Sequence, residues 1–188
     1  MSNPNPDETP KSPSWQKALF EWTDFALKAI LIIGGVVAIY QYFDVKQDNR
    51  VKQTMEQLQR FNNNPLLDAR LTLTKTWTPY QSTFQRLNQQ TIANEQDQIQ
   101  ILGKIVIPVI QQHDLFDEII LLVDFFDNLH ICIQHHLCDQ QVAEAFFSGY
   151  ARSFYRLHQP WIMVQRQAVP SFACHLEAFI YPQQQGCQ

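Results

Sequence analysis

Apolar and polar positions alternate along this chain in long stretches of helical period, beginning with a nearly unbroken apolar run, 25-FALKAILIIGGVVAIYQYF-43. Only Lys28 and Gln41 are strongly polar within it. Those 19 residues rise roughly 28 Å as a helix, close to the hydrocarbon thickness of a bilayer. The run therefore predicts one membrane-spanning helix, with Phe25, Ile30, Leu31, Ile32, Ile33, Val36, Val37, Ile39 and Tyr40 as the anchoring side chains. Trp15 and Trp22 on one side and Tyr40, Tyr42 and Phe43 on the other suit the two interfaces. A signal peptide and a buried core helix are the alternatives. Against the first, Glu21 and Asp24 precede the run and no small-residue cleavage pattern follows it.

The next segment, 44-DVKQDNRVKQTMEQLQRF-61, has no Gly or Pro and sets Val51, Met55, Leu58 and Phe61 on one stripe. It predicts a helical stalk that either packs on its own domain or associates with a second copy. Asn64-Pro65 reads as the start of a helix over 65–77, and Pro79 as its stop. The run 99-IQILGKIVIPVI-110 fits a helix or a strand, and Pro108 favours a helix kinked or restarted there. In 114-DLFDEIILLVDFFDNLHICIQHHLC-138, Asp114 is a candidate cap. Leu115, Ile119, Leu122, Phe126, Leu129 and Ile133 form a stripe that Ile120, Val123 and Phe125 widen into a helix buried on most sides. Asp139 is the N-cap candidate for 140–158, with Val142, Phe146, Gly149/Tyr150, Ser153/Phe154 and Leu157 facing the core. The two helices are expected to fold back as a hairpin closed by Pro160, with shorter helices near 161–167 and 171–180.

Composition agrees with this. Only 5 glycines and 10 prolines punctuate 188 residues, too few turns for a sandwich or barrel, so the fold class is all-α. The expected organisation is a disordered tail (1–14), a transmembrane anchor helix (15–43), a stalk (44–62), a cytoplasmic helical bundle (63–181) and a second disordered tail (182–188). A net charge of -4 supplies no global basic field for nucleic acid. Lys46, Arg50, Lys52 and Arg60 after the span outnumber Lys11 and Lys17 before it, which puts the large domain on the cytoplasmic side of the inner membrane. Four cysteines without framework spacing are expected as free thiols, in agreement with that side.

Three constellations carry candidate chemistry. In 130-HICIQHHLC-138, Cys132, His135 and His136 share a helical face and offer at most three zinc ligands, while His130 and Cys138 point elsewhere. Cys132-x5-Cys138 is not a Cys-x-x-Cys pair, so the cluster reads as the last turns of a buried helix with no metal. Arg152 and His158 are spaced as Arg-x5-His, about 120° apart on a regular helix. The plainer account places Arg152 and Arg156 on a solvated face, with His158 at a helix C-terminus where the dipole favours positive charge. Asp117, Glu118, Asp124 and Asp127 read as the wet side of a helix.

The stretches RVKQTMEQLQRFNNNPLLDARLTL and LLVDFFDNLHICIQHHLCDQQVAEAFFSGYARSFYRLHQPWI, behind a membrane helix ending in Tyr-Gln-Tyr, resemble a family of small single-pass bacterial membrane proteins with a helical domain of unknown function. That resemblance implies architecture and no reaction. More distantly, the layout resembles the membrane-anchored HEPN-like accessory protein of Cas13b CRISPR systems. This second resemblance implies pore formation or action on RNA, with Arg152 and His158 as its motif residues, although Ser153 departs from the polar amide or acid usual there. The expected function is a non-catalytic interaction or assembly protein anchored in the lipid bilayer, a homo-oligomer with a protein partner at the membrane and no cofactor. The alternative is an antiviral-defence accessory, the one reading under which nucleic acid is a partner.

Overall fold

The computed structural model describes residues 14–89 and 94–183; of the terminal tails expected at 1–14 and 182–188 all but residues 14, 182 and 183 lie outside the described residues, as does part of the polar stretch, 90–93. What is described is all-helical: α1 (Ser14–Phe61), α2 (Leu66–Trp77), α3 (Gln81–Gln89), α4 (Glu95–His113), α5 (Phe116–Gln134), α6 (Gln140–Ala168) and α7 (Cys174–Ile180). A 3₁₀ turn, Thr78–Tyr80, joins α2 to α3. The chain divides into two compact units between Lys46 and Gln47. The first holds the apolar part of α1. The second holds the rest of α1 and all the other helices, so residues 47–61 of the expected stalk belong to the globular unit.

The reason is Phe61. Its ring is 5% exposed and lies 4.9 Å from Phe125, 5.9 Å from Phe126 and 5.3 Å from both Phe147 and Tyr150, drawing α5 and α6 onto the end of α1. The Arg70 guanidinium lies 4.1 Å over the same ring and donates to Phe61 O and Asn62 Oδ1, both at 3.1 Å. A cation thereby closes the C-terminal end of α1, where carbonyls lack helical partners. The core-facing stripe is Val51-Thr54-Leu58-Phe61, with Thr54 fully buried, Val51 and Leu58 half-buried, and Met55 turned 43% exposed to solvent. Thr54 Oγ1 donates to Arg50 O at 2.9 Å and accepts from Asp139 N at 2.8 Å. Asp139 Oδ1 accepts from Val142 N at 2.9 Å, as its N-cap role requires, and Gln47 donates to Oδ2.

Other local expectations are corrected. Asn64 does not cap α2, whose N-cap is Pro65 with no side-chain hydrogen bond. Asp114 ends α4 instead of starting α5: it adopts a left-handed φ of 50°, and Leu115 N returns to Ile110 O at 3.1 Å. Helix α4 continues through Pro108 without a restart. Helix α6 likewise continues through Pro160 to Ala168, absorbing the separate helix expected at 161–167. Its buried face is Ala143, Phe147, Ala151, Phe154, Tyr155, His158, Trp161 and Ile162, one position on from the expected stripe, and Phe146 is 49% exposed. Ile120 is exposed too. The α5–α6 fold-back forms, with Phe125 against Phe147 and Phe126 against Tyr150 and Phe154, but α5 packs more closely against α7 and α2, and α6 against α4.

Pro160 costs α6 one backbone hydrogen bond, and its burial against α4 offsets this. The closest approach is at Gly103, where an added Cβ would stand 3.2 Å from Pro160 Cβ. Helix α7 is held by Leu176 N donating to Asp127 Oδ1 at 2.6 Å and by an Arg166–Glu177 ion pair at 2.6 Å. Arg166 also donates to Phe172 O (2.9 Å) and Ala173 O (3.2 Å).

Truncating Phe61 to Ala removes a ring at which α1, α5 and α6 meet, and is expected to cost about 3–5 kcal/mol of stability. Met55→Ala is expected to stay within about 0.5 kcal/mol. Urea titration of both variants, followed by far-ultraviolet circular dichroism, checks the contrast.

Candidate functional site

The apolar part of α1 keeps its side chains in the open. Ile30, Leu31, Ile32, Ile33, Val36, Val37, Ile39 and Tyr40 are all exposed, and nothing approaches the Cβ positions of Gly34 or Gly35 within 4 Å. The side chain of Phe25 lies outside the described residues. Among the described residues no helix is long and apolar enough to cross a membrane. Of the stalk residues, Val51 and Leu58 are half-buried, Phe61 is core and Met55 is exposed.

The cluster at 130–138 resolves into a crosslinked turn. Helix α5 ends at Gln134, and the chain reverses through a left-handed His136 (φ 56°) while Leu137 N and Cys138 N both donate to Cys132 O, at 2.9 and 3.1 Å. This brings the Cys132 and Cys138 Cα atoms to 5.2 Å, and the two form a disulfide. Cys174 is disulfide-bonded as well. The expectation of free thiols is thereby overturned among the described residues, because angular spacing on a continuing helix does not apply once the helix stops. Cys132 has no thiolate to give a metal, His135 and His136 are exposed, and no group of three or more ligand side chains stands together among the described residues. His130 lies 5.7 Å from His175, with its pKa lowered by burial and secondarily by that neighbour. Asp127 is raised by burial.

Arg152 and His158 do not form a joint site. Arg152 is exposed, whereas His158, expected at a helix end, is 2% exposed in the middle of α6. Its Nδ1 donates to Phe154 O at 2.8 Å, its ring lies 4.5 Å from Phe154 and 5.7 Å from Trp77, and burial pushes its pKa down to about 4. A phosphodiester has no access to such an imidazole. Sequence reasoning missed Trp77, which is 7% exposed and shares with His158 a cleft of about 230 Å³ between α2 and α6. The only signal was its place at the end of the α2 apolar stripe, Leu66-Ala69-Leu73-Trp77. A larger cleft of about 670 Å³ lies among α3, α4 and α6, lined by residues that include Phe84, Leu102, Arg156 and Tyr181.

Neutral His158 gives the fold a defined acid limb. Its folded pKa of about 4 is below the ordinary 6.5, so the unfolded chain binds the proton more readily. The associated stability is present above pH 6.5 and is lost as pH falls from there to about 4, by roughly 3 kcal/mol. Urea midpoints at pH 7.5 and 4.5 should therefore fall less with acid in His158→Phe than in the unmodified protein. Comparison with known proteins adds lineage to this geometry. No curated protein and no solved structure matches the chain. Residues 28–181 match the family described as a domain of unknown function, DUF4760, and this chain, from the apolar helix through α7, belongs to it.

Proposed function

We propose that the protein is a membrane-anchored, non-catalytic interaction and assembly module, with the apolar part of α1 as its anchor. The observation that carries the reading is the exposure of the described side chains of that segment on every side, Leu27, Lys28 and Ile30 through Val45. A protein interface along a helix leaves one stripe apolar, and a helix apolar all round matches lipid. Ile30 to Phe43 alone would rise about 20 Å, and a full span draws also on residues 25–29. Exposed Met55, farther along the same helix, supports contact with a second copy or a partner at the membrane.

Two observations bear on the side of the membrane. The cations Lys46, Arg50, Lys52 and Arg60 support a cytoplasmic domain. The Cys132–Cys138 bond supports an oxidising face, because disulfides persist where thiols are not kept reduced. The covalent pairing outweighs a bias of a few charges, so the proposal puts the domain on the oxidising side of the inner membrane.

After alkaline carbonate extraction the chain is expected to sediment with membranes. The double variant Ile33→Asp/Val37→Asp, at about 3 kcal/mol per buried charge, should move to the supernatant. Recovery of the unmodified chain in the soluble fraction would sink the anchor reading. Protease added to intact spheroplasts should remove the domain, and protection would return it to the cytoplasmic face. In light scattering, detergent-solubilised protein should exceed the mass of one chain.

A further inference from the structure

We propose that the cleft of about 670 Å³ among α3, α4 and α6 binds a free fatty acid, its acyl chain on the apolar walls and its carboxylate on Arg156. The site lies wholly in the globular unit and does not depend on the anchor. Five apolar side chains reach it from three helices: Phe84 and Leu87 from α3, Ile99 and Leu102 from α4, and Leu157 from α6. Each of them is only half-buried, so an occupant arriving from solvent meets apolar surface that is already open to it. Covering that surface with methylenes removes it from water. The volume of about 670 Å³ falls within the roughly 300–1,000 Å³ of small-molecule sites.

Charge selects the head group. Among the described residues Arg156 is the one charged side chain that lines the cleft, and it is exposed. Arg152, exposed as well, stands one turn earlier on α6, the spacing that brings two side chains onto one face. Neither guanidinium has a hydrogen bond or ion pair among the described residues, in contrast to Arg70 on Phe61 O and Arg166 on Glu177. Helix α6 carries no acid after Glu144, so the repulsion between the two cations is not relieved within the helix. A carboxylate relieves it, and its two oxygens match the planar guanidinium fork with parallel hydrogen bonds. The side-chain amides of Gln98 and Gln159, on the same cleft, add neutral donors. An uncharged amphiphile leaves the arginines unpaired and a cationic one is repelled. A two-chain phospholipid exceeds the drug-sized molecules that such a volume holds.

The test uses the full-length chain in phosphatidylcholine nanodiscs, with dodecanoate bearing a terminal diazirine as the probe and peptide mapping after illumination as the readout. Crosslinks are expected in segments 84–87 and 99–102, and excess dodecanoate should remove them where dodecanol does not. Competition should strengthen by up to about ten-fold for each pair of methylenes from octanoate to dodecanoate. The double variant Arg152→Gln/Arg156→Gln should label these segments about ten-fold less, with labelling of α1 in the same sample unchanged. Both side chains are exposed, so its urea midpoint should stay where it is. If that variant does not fold, the contrast between dodecanoate and dodecanol on the unmodified protein stands alone. Crosslinks confined to α1, or equal competition by dodecanol, would reduce the cleft to apolar surface and overturn the proposal. Loss of labelling in nanodiscs containing phosphatidylglycerol would assign the arginines to a lipid head group and overturn it too. Labelling that appears only after deletion of 184–188 would assign the cleft to the chain's own terminus, with the same result.

Discussion

The burial of the Phe61 ring is the constraint from which the globular unit follows. Phe125 and Phe126 come to it from α5, Phe147 and Tyr150 from α6, and Arg70 from α2 covers its remaining face. With α1 ending at that ring, its last turns are committed to the core, and Thr54, seven residues before it on the same stripe, can meet Asp139. One hydroxyl then links α1 to the start of α6, and the reversal before Asp139 is fixed by a covalent bond between Cys132 and Cys138. The aromatic centre and the polar cap are successive layers of one junction.

The same junction explains what could be read from the sequence. Helical period, the scarcity of turn residues and the Asp139 cap are local signals, and they identified the helices and the start of α6. Tertiary packing decided the remainder. Phe146 and Phe147 are adjacent and equally apolar, and small Ala143 and Ala151 on either side of Phe147 set which one a neighbouring helix can approach. Thr54 was hidden by being polar on an apolar stripe; its partner is 85 residues away. The prolines misled because a stop signal is only a free-energy cost, and the buried side of α6 outweighs it. Cysteine pairing escaped because the left-handed turn at His136, which makes it possible, has no glycine to mark it.

For the candidate chemistry, the lesson concerns burial. Arg152 and His158 look like a pair in one dimension, and the fold separates them by turning one to solvent and the other to Trp77. The imidazole that remains is neutral and fixed in one tautomer. Its cleft begins at Leu73, one turn from the Arg70 that closes α1. Family membership supports the architecture and leaves the ligand to be found by chemistry.

The contact between Gly103 and Pro160 also acts as a gauge. With hydrogen alone at position 103, α4 rests nearly against the Pro160 ring, and any larger residue would have to displace that ring by a few tenths of an ångström. The cleft of about 670 Å³ beside this contact takes two of its walls from the same helices, through Leu102 on one and Arg156, Leu157 and Gln159 on the other. The spacing of those two walls is therefore held by the absence of a side chain at position 103, and a larger residue there would push α4 and α6 apart beside the cleft.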